Sequence, residues 1–240
     1  MAAAGSGSRG DLEKALAVLA DPERAASYAW FFKTGKGQYG EGDRFLGIRV
    51  PQLRKIALLY RLLPLRDVEK LLASAIHEHR FVALEILVAR YERGTPEEQG
   101  EIFDFYLAHT ARINNWDLVD TSAPYIAGDY LLSRPRGVLY RLSSSTSLWE
   151  RRIAIVSTLA FVKKGDTADA FRLAAGLLTD KHDLMHKATG WVLRETGRVS
   201  RAALLKFLAK HYSLLPRTTL RYAIEHFPPE HRKRLLAGEF

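Results

Sequence analysis

Helical periodicity runs through almost the whole chain, and no other pattern competes with it. No segment alternates polar and apolar residues among β-branched side chains between turn signals, as a half-buried strand would. Apolar residues recur at helical spacing instead: Leu53, Ile56, Tyr60 and Leu63; Val68, Leu71, Leu72 and Ala75; Ile102, Phe103, Tyr106 and Leu107. The same spacing returns at Ile153, Val156, Leu159 and Ala160, at Phe171, Ala174, Ala175 and Leu178, and at Leu204, Leu205 and Leu208. Val82, Leu84, Ile86, Leu87 and Val88 are apolar on nearly every side, which suits a helix enclosed by neighbours. The chain reads as all-α, with about twelve to fourteen helices of roughly 10–18 residues.

Helix punctuation agrees. Thr95-Pro-Glu-Glu98 is a capping box with proline in the first helical position, and Ser147-Leu-Trp-Glu150 reads as a second box. Gly94, Gly165 and Gly197 stand where helices should stop. Two helices with their turns take roughly 40 residues, the length of a HEAT-type unit, so an α-solenoid with a concave face fits. A compact helical bundle fits the same periodicity. Residues 1–10 are small and lack the apolar stretch of a secretory signal, so they read as a flexible segment ahead of one domain over 11–240.

Charge narrows the partner. The chain holds 36 Lys and Arg against 27 Asp and Glu, a formal net charge of +9. That excess favours a polyanion, and a basic concave face would cradle a duplex. The absence of cysteine excludes disulfides, thiolate zinc sites, iron–sulfur clusters and a cysteine nucleophile, and it suits the cytoplasm. No apolar run reaches the ~18–20 residues that span a bilayer.

One segment breaks the helical pattern. Lys33 to Ile48 carries five glycines and cannot be a stable helix. Its Gly35-Lys-Gly37-Gln-Tyr-Gly40 matches a dinucleotide fingerprint in letters only, because no strand precedes it and no βαβ unit surrounds it. With Lys33, Lys36 and Arg44, it reads better as a loop near a phosphate backbone, mobile until DNA is bound. His182 and His186 could share a helix face but lack a third ligand. They and the pair His77 and His79 read as surface or capping residues. No metal site is expected.

The segment Ile113 to Asp129 carries more chemistry. Asn114 or Asn115 can cap a helix starting at Trp116, which puts Trp116 and Asp120 on one face at i and i+4. An aromatic face beside a carboxylate suits a cation. A core tryptophan beside a surface ion-pair carboxylate would give the same spacing. Arg152 falls in the first turn of the next long helix, where positive charge is slightly unfavourable, so it reads as facing an external anion. Gly190 weakens a helix unless something approaches its backbone closely. Arg194 and Glu195 read as an ion pair.

Four of these segments occur in order: Phe31-Phe-Lys-Thr-Gly-Lys-Gly37 with Phe45-Leu-Gly-Ile48, Asn115-Trp-Asp-Leu-Val-Asp120, Trp149-Glu-Arg-Arg152 and Lys187-Ala-Thr-Gly-Trp-Val-Leu-Arg194. Together they resemble the AlkD-type alkylpurine DNA glycosylases, HEAT-like-repeat DNA alkylation repair proteins, from about Ala26 to about Glu225. The resemblance implies hydrolytic removal of cationic N3- and N7-alkylated purines from duplex DNA, with no base-flipping pocket, metal or cofactor, by a monomer. It carries Trp116 and Trp191 onto the tryptophans that clasp the lesion sugar, Asp120 onto the catalytic carboxylate and Arg152 onto a phosphate contact. Lys33 and Lys36 fall in the DNA-contacting loop. Where family members often carry a tyrosine before that loop, the best match is Phe31, with Tyr28 one turn earlier. A HEAT-like DNA-binding protein without activity is the alternative; a protein-binding helical scaffold would show no salt-dependent DNA affinity.

Overall fold

The computed structural model describes residues 7–240. Among these residues the chain forms fourteen α-helices and no strand; one isolated bridge joins Arg44 to Ile76. The all-α reading holds. Helix lengths run from 5 to 17 residues. The shortest fall below the range expected from periodicity because one-turn 3-10 segments and a π-turn at Pro124–Gly128 break up what the pattern joins.

The chain divides into two compact units, one ending at Ser122 and the other beginning at Ala123. The first unit holds α1 (Arg9–Val18), α2 (Pro22–Phe31), α3 (Val50–Leu59), α4 (Leu65–Leu72), α5 (His77–Tyr91), α6 (Pro96–Ala108) and α7 (Trp116–Asp120). Of the expected flexible start, residues 1–6 lie outside the described residues. Ser8 to Gly10 are ordered: Ser8 caps α1 by accepting from the Asp11 amide, and the Asp11 carboxylate accepts from the Ser8 amide at 3.0 Å. The capping box at Thr95 forms as read.

Helix α5 is the centre of this unit. It packs against α3, α4, α6 and α7. Phe81, Val82, Ala83, Leu84, Ile86, Leu87 and Val88 are all buried, which accounts for an apolar pattern without a polar face. Each large aliphatic buried this way is worth about 1.5–3 kcal/mol. The pattern has a cost at its head. His77, Glu78, His79 and Arg80 are buried with the rest of the helix.

The second unit holds α8 (Gly137–Ser143), α9 (Leu148–Lys163), α10 (Ala168–Gly176), α11 (Asp183–Val199), α12 (Arg201–His211), α13 (Arg217–Ala223) and α14 (Pro229–Ala237). Here α9 is enclosed by α8, α10, α11 and the π-turn, and α11 packs on α13. Ser147 caps α9 through the Glu150 amide. Gly165 follows the end of α9 in the left-handed region, at φ 87°. Gly197 does not end a helix; it lies inside α11 against Leu204.

Gly190 admits α13. A Cβ there would stand 2.5 Å from the Tyr222 Cβ and 2.7 Å from the Thr219 carbonyl oxygen. Gly190→Ala should therefore destabilise the second unit by about 1–3 kcal/mol, the usual cost of overpacking, although alanine alone favours a helix by about 1 kcal/mol. Urea unfolding monitored by circular dichroism checks this. An unchanged or raised midpoint would show that α13 can back away freely.

Candidate active site

Helix α7 begins where the sequence places it. The Asn115 side chain accepts from the Trp116 amide at 2.8 Å, and Asn115 itself is fully buried. Five residues make little more than one turn, so α7 depends on what it touches. Trp116 is half-buried and stacks on Phe32 at 5.2 Å between ring centroids and 18° between planes. Phe31, the last residue of α2 and 52% exposed, meets Trp116 edge-on at 6.0 Å. Of the residues marked in the sequence, Trp116 and Phe31 are thus in contact, and Asp120 lies four residues beyond Trp116 on the same helix. Tyr28, one turn before Phe31, points edge-on to Phe32 and Phe45. A cavity of roughly 180 Å³ opens between Tyr28, Phe31, Phe45, Leu53 and Asp117.

Asp120 closes α7 and is half-buried. Its charge is felt by the buried Tyr106 phenol. Burial drives that phenol's pKa upward, a hydrogen bond with Ser122 opposes the rise, and the Asp120 carboxylate adds to it. Tyr106 Oη lies 3.0 Å from Ser122 Oγ, and Ser122 Oγ donates to the Leu118 carbonyl at 2.6 Å. Thr121 donates to Glu85, which also pairs with Arg54 at 3.1 Å. The C-terminal end of α7 is therefore fixed to α5 and α6.

The glycine-rich loop is not a free flap over its second half. Glu78 accepts from the amides of Leu46, Gly47 and Ile48 at 2.9, 2.8 and 3.3 Å. Gly47 has φ 79°, and Arg24 donates to its carbonyl at 2.7 Å. Asp43 points inward and pairs with Arg80 at 2.7 Å. Buried carboxylates and guanidiniums are stable only when paired, and this pairing fixes the loop. The expectation of a mobile loop therefore fails from Asp43 onward. Lys33 and Lys36 remain exposed, with Lys33 Nζ 4.8 Å from the Trp30 ring centroid.

His77 joins the loop to α7. Its Nε2 lies 2.7 Å from Asp117 Oδ2 and its Nδ1 lies 3.2 Å from Asp43 Oδ2. Phe45 stacks on the imidazole at 4.6 Å. Burial alone would lower the His77 pKa. The Asp117 charge and hydrogen bond, with the Asp43 bond, overcome this and raise it to about 9. Asp43 is likewise pushed up by burial but held below its usual range by His77 and Arg80. His77 and His79 are thus core residues, not surface ones. Sequence reasoning missed Asp43, His77, Glu78, Arg80 and Asp117. The available signal was four consecutive polar residues heading a helix with no polar face, since such a helix buries them.

In the second unit, Arg152 is not in the first turn of α9 but one residue beyond it. It is 5% exposed and donates to the Leu184 carbonyl at 2.7 Å. The surrounding helices, rather than solvent, receive one edge of its guanidinium. Trp191 is half-buried on α11, beside the close approach at Gly190. Arg194 pairs with Glu195 at 3.1 Å and also with Glu225. His182 caps α11, accepting from the Leu184 amide. Among the described residues no group of histidines and carboxylates is arranged to hold a metal ion, and no helix is long and apolar enough to cross a membrane.

The profile of a family described as DNA alkylation repair enzyme matches residues 12–227, across both units. The chain belongs to the DNA alkylation repair enzyme family. Membership gives it a role in the repair of alkylated DNA, with DNA as substrate. A solved structure, a predicted DNA alkylation repair enzyme from Enterococcus faecalis, matches with a TM-score of 0.69 over 88% of this chain and 97% of its own, at 17% identity. That likeness shows a shared helical fold. No curated protein matches the chain significantly.

The His77 contacts set a pH dependence. Because its folded pKa lies above the unfolded value near 6.5, its stabilisation is complete below that value and is lost as pH rises through about 9. At full extent it is worth about 3 kcal/mol. The stability gap between wild type and His77→Gln, from urea unfolding, should be largest at pH 6 and shrink toward pH 10. A gap independent of pH would show that folding leaves the imidazole pKa unshifted, and a gap that grows as pH rises from 6 would show that it is buried neutral.

Proposed function

We propose that this DNA alkylation repair enzyme is a monofunctional DNA glycosylase that hydrolyses the N-glycosidic bond of cationic N3- and N7-alkylated purines in duplex DNA. The reading is supported by the corner built on α7, where the half-buried Trp116 meets the exposed Phe31 edge-on and Asp120 follows Trp116 at i+4 on the same helix. That set of groups suits positive charge on a sugar. The aromatic quadrupoles and the carboxylate all favour it.

The chemistry demands little more. An alkylated purine already carries positive charge, so it departs as a neutral base with the electron pair of the glycosidic bond. Positive charge then grows on the deoxyribose. Water adds at the anomeric carbon, loses a proton and leaves an abasic site. Asp120 stabilises the charge on the sugar. Two unit charges ~4 Å apart at an effective dielectric of ~20 attract by ~4 kcal/mol, enough for roughly a thousandfold in rate if expressed only in the transition state. Trp116 and Phe31 offer ring faces and edges to the sugar. The base is not drawn into a pocket, and no step calls on a metal, a cofactor or a second copy. Lys33 and Lys36 contact phosphates. Trp191 and Arg152 are assigned, by resemblance alone, to the sugar and a nearby phosphate. The protein acts inside the cell, on DNA.

Asp120→Asn keeps the size and removes the charge. It should slow single-turnover release of 7-methylguanine from methylated duplex by about 10²–10³, the scale for losing one preorganised electrostatic contact, with duplex affinity nearly unchanged. Equal excision by the variant would make the carboxylate structural. No release by wild type would leave a DNA-binding protein without this activity.

Replacing Lys33 and Lys36 together by alanine should weaken duplex binding and reduce the slope of log affinity against log salt by about 2, one unit for each lost phosphate contact. Titrations at several salt concentrations check this. An unchanged slope would remove the loop from the interface.

A further inference from the structure

We propose that His77 is a positioning residue for this site: by bridging Asp43 of the glycine-rich loop to Asp117 of α7, it holds Trp116 and Asp120 in the geometry that excision requires. The proposal rests on the glycosylase reading for its activity arm but not for its structural arm. It starts from the length of α7. A helix of five residues has almost no intrinsic stability and takes its position from external contacts. At its C-terminal end these are the hydrogen bonds of Thr121 and Ser122 to α5 and α6. At its N-terminal end they converge on one buried centre. Asp117 bonds His77, and Asn115, which caps α7, reaches Asp43 Oδ2 at 3.5 Å.

The bridge works because it is doubly donating. Two carboxylates accept from one imidazole, and only the imidazolium has a proton on each nitrogen. The first residue of the buried helix α5 carries the ring, so the fixed point belongs to the most enclosed helix of the unit. The same ring lies under the aromatic stack. The Phe32 ring centroid is 5.0 Å from that of His77 and 5.2 Å from that of Trp116. Movement of the imidazole therefore reaches Trp116 both through α7 and through Phe32.

The charged groups facing His77 are Asp117 from α7, Asp43 from the loop and Arg80 from its own helix, with Arg80 Nη2 3.5 Å from Nδ1. Phe32 and Phe45, which cover the ring, carry no charge. Glu78 is engaged by the loop amides. Above the pH at which the imidazolium loses its proton, one carboxylate faces a bare nitrogen lone pair, and the loop and α7 are no longer tied through it.

The test uses the full chain in two arms. In the first, single-turnover release of 7-methylguanine and duplex affinity are measured from pH 6 to 10 for wild type and His77→Gln. Glutamine retains a donor toward Asp117 but supplies neither the charge nor the second donor. At pH 7 the variant should excise about tenfold more slowly with duplex affinity within about twofold, the effect of losing a charge-assisted bond that acts on geometry and not on binding. The wild-type rate should fall as pH passes about 9, and the variant should lack that step. In the second arm, amide hydrogen exchange over 116–120, corrected for intrinsic rates, should be faster in the variant at pH 7. In wild type it should accelerate between pH 7 and 10 at 116–120 and 43–48 ahead of the core of α5.

Wild-type excision and α7 protection in the variant would overturn the proposal, as would lost protection with an unchanged rate. If wild type releases no base, the glycosylase reading fails, and exchange alone decides whether His77 anchors α7. If the variant does not fold, the wild-type exchange profile decides: acceleration confined to α7 and the loop supports the bridge, and its absence contradicts it.

Discussion

Burying the head of α5 is the constraint from which the first unit follows. A helix that is apolar on every side packs well in its middle, but its first four residues here are His77, Glu78, His79 and Arg80. Ionisable groups cannot enter an interior unpaired. Each of three recruits a partner from elsewhere. Glu78 gathers the amides of residues 46–48, Arg80 gathers Asp43, and His77 gathers Asp43 and Asp117. The glycine-rich loop and the shortest helix are thereby fixed to the best-buried one. The first stretch of the loop, with Lys33 and Lys36, is left to solvent, as is Arg44 beyond Asp43.

Most of the fold was legible in the sequence because helices announce themselves by spacing. The apolar stripes and the Thr95 cap give the helical class, and the run 82–88 marks an enclosed helix. Gly190 also reads correctly: a helix-weakening residue implies a close neighbour, and α13 is that neighbour. Length and termination were less legible. Gly197 looked like a stop yet lies within α11, where its missing side chain makes room for Leu204. The local signal for a C-cap and for a tight contact is the same residue.

The site was legible in part. Asn115, Trp116 and Asp120 stand close together in the sequence, so helical geometry alone relates them. Phe31 joins them through the resemblance, and its ring meets Trp116 edge-on. Burial at the head of α5 leaves a signal in the sequence, but the pairing of its polar network does not. Asp43, His77 and Asp117 are far apart in sequence, and a histidine between glutamate and isoleucine carries no mark of burial between two carboxylates. Arg152 shows the reverse limit. A charge that looks misplaced near a helix start suggests an external anion, but nothing in the spacing shows that the guanidinium is buried and donates to the carbonyl of Leu184.

The chemistry assigned to this corner is narrow, because it supplies charge stabilisation and no acid for the leaving group. A base that is already cationic can leave; a neutral base would need a proton that no group here is assigned to give. The most direct measurement is single-turnover release of two bases from otherwise identical duplexes, cationic 7-methylguanine and neutral hypoxanthine. Release of 7-methylguanine with no detectable release of hypoxanthine is the predicted result. Comparable release of both would contradict the account, since it would require a general acid at the site.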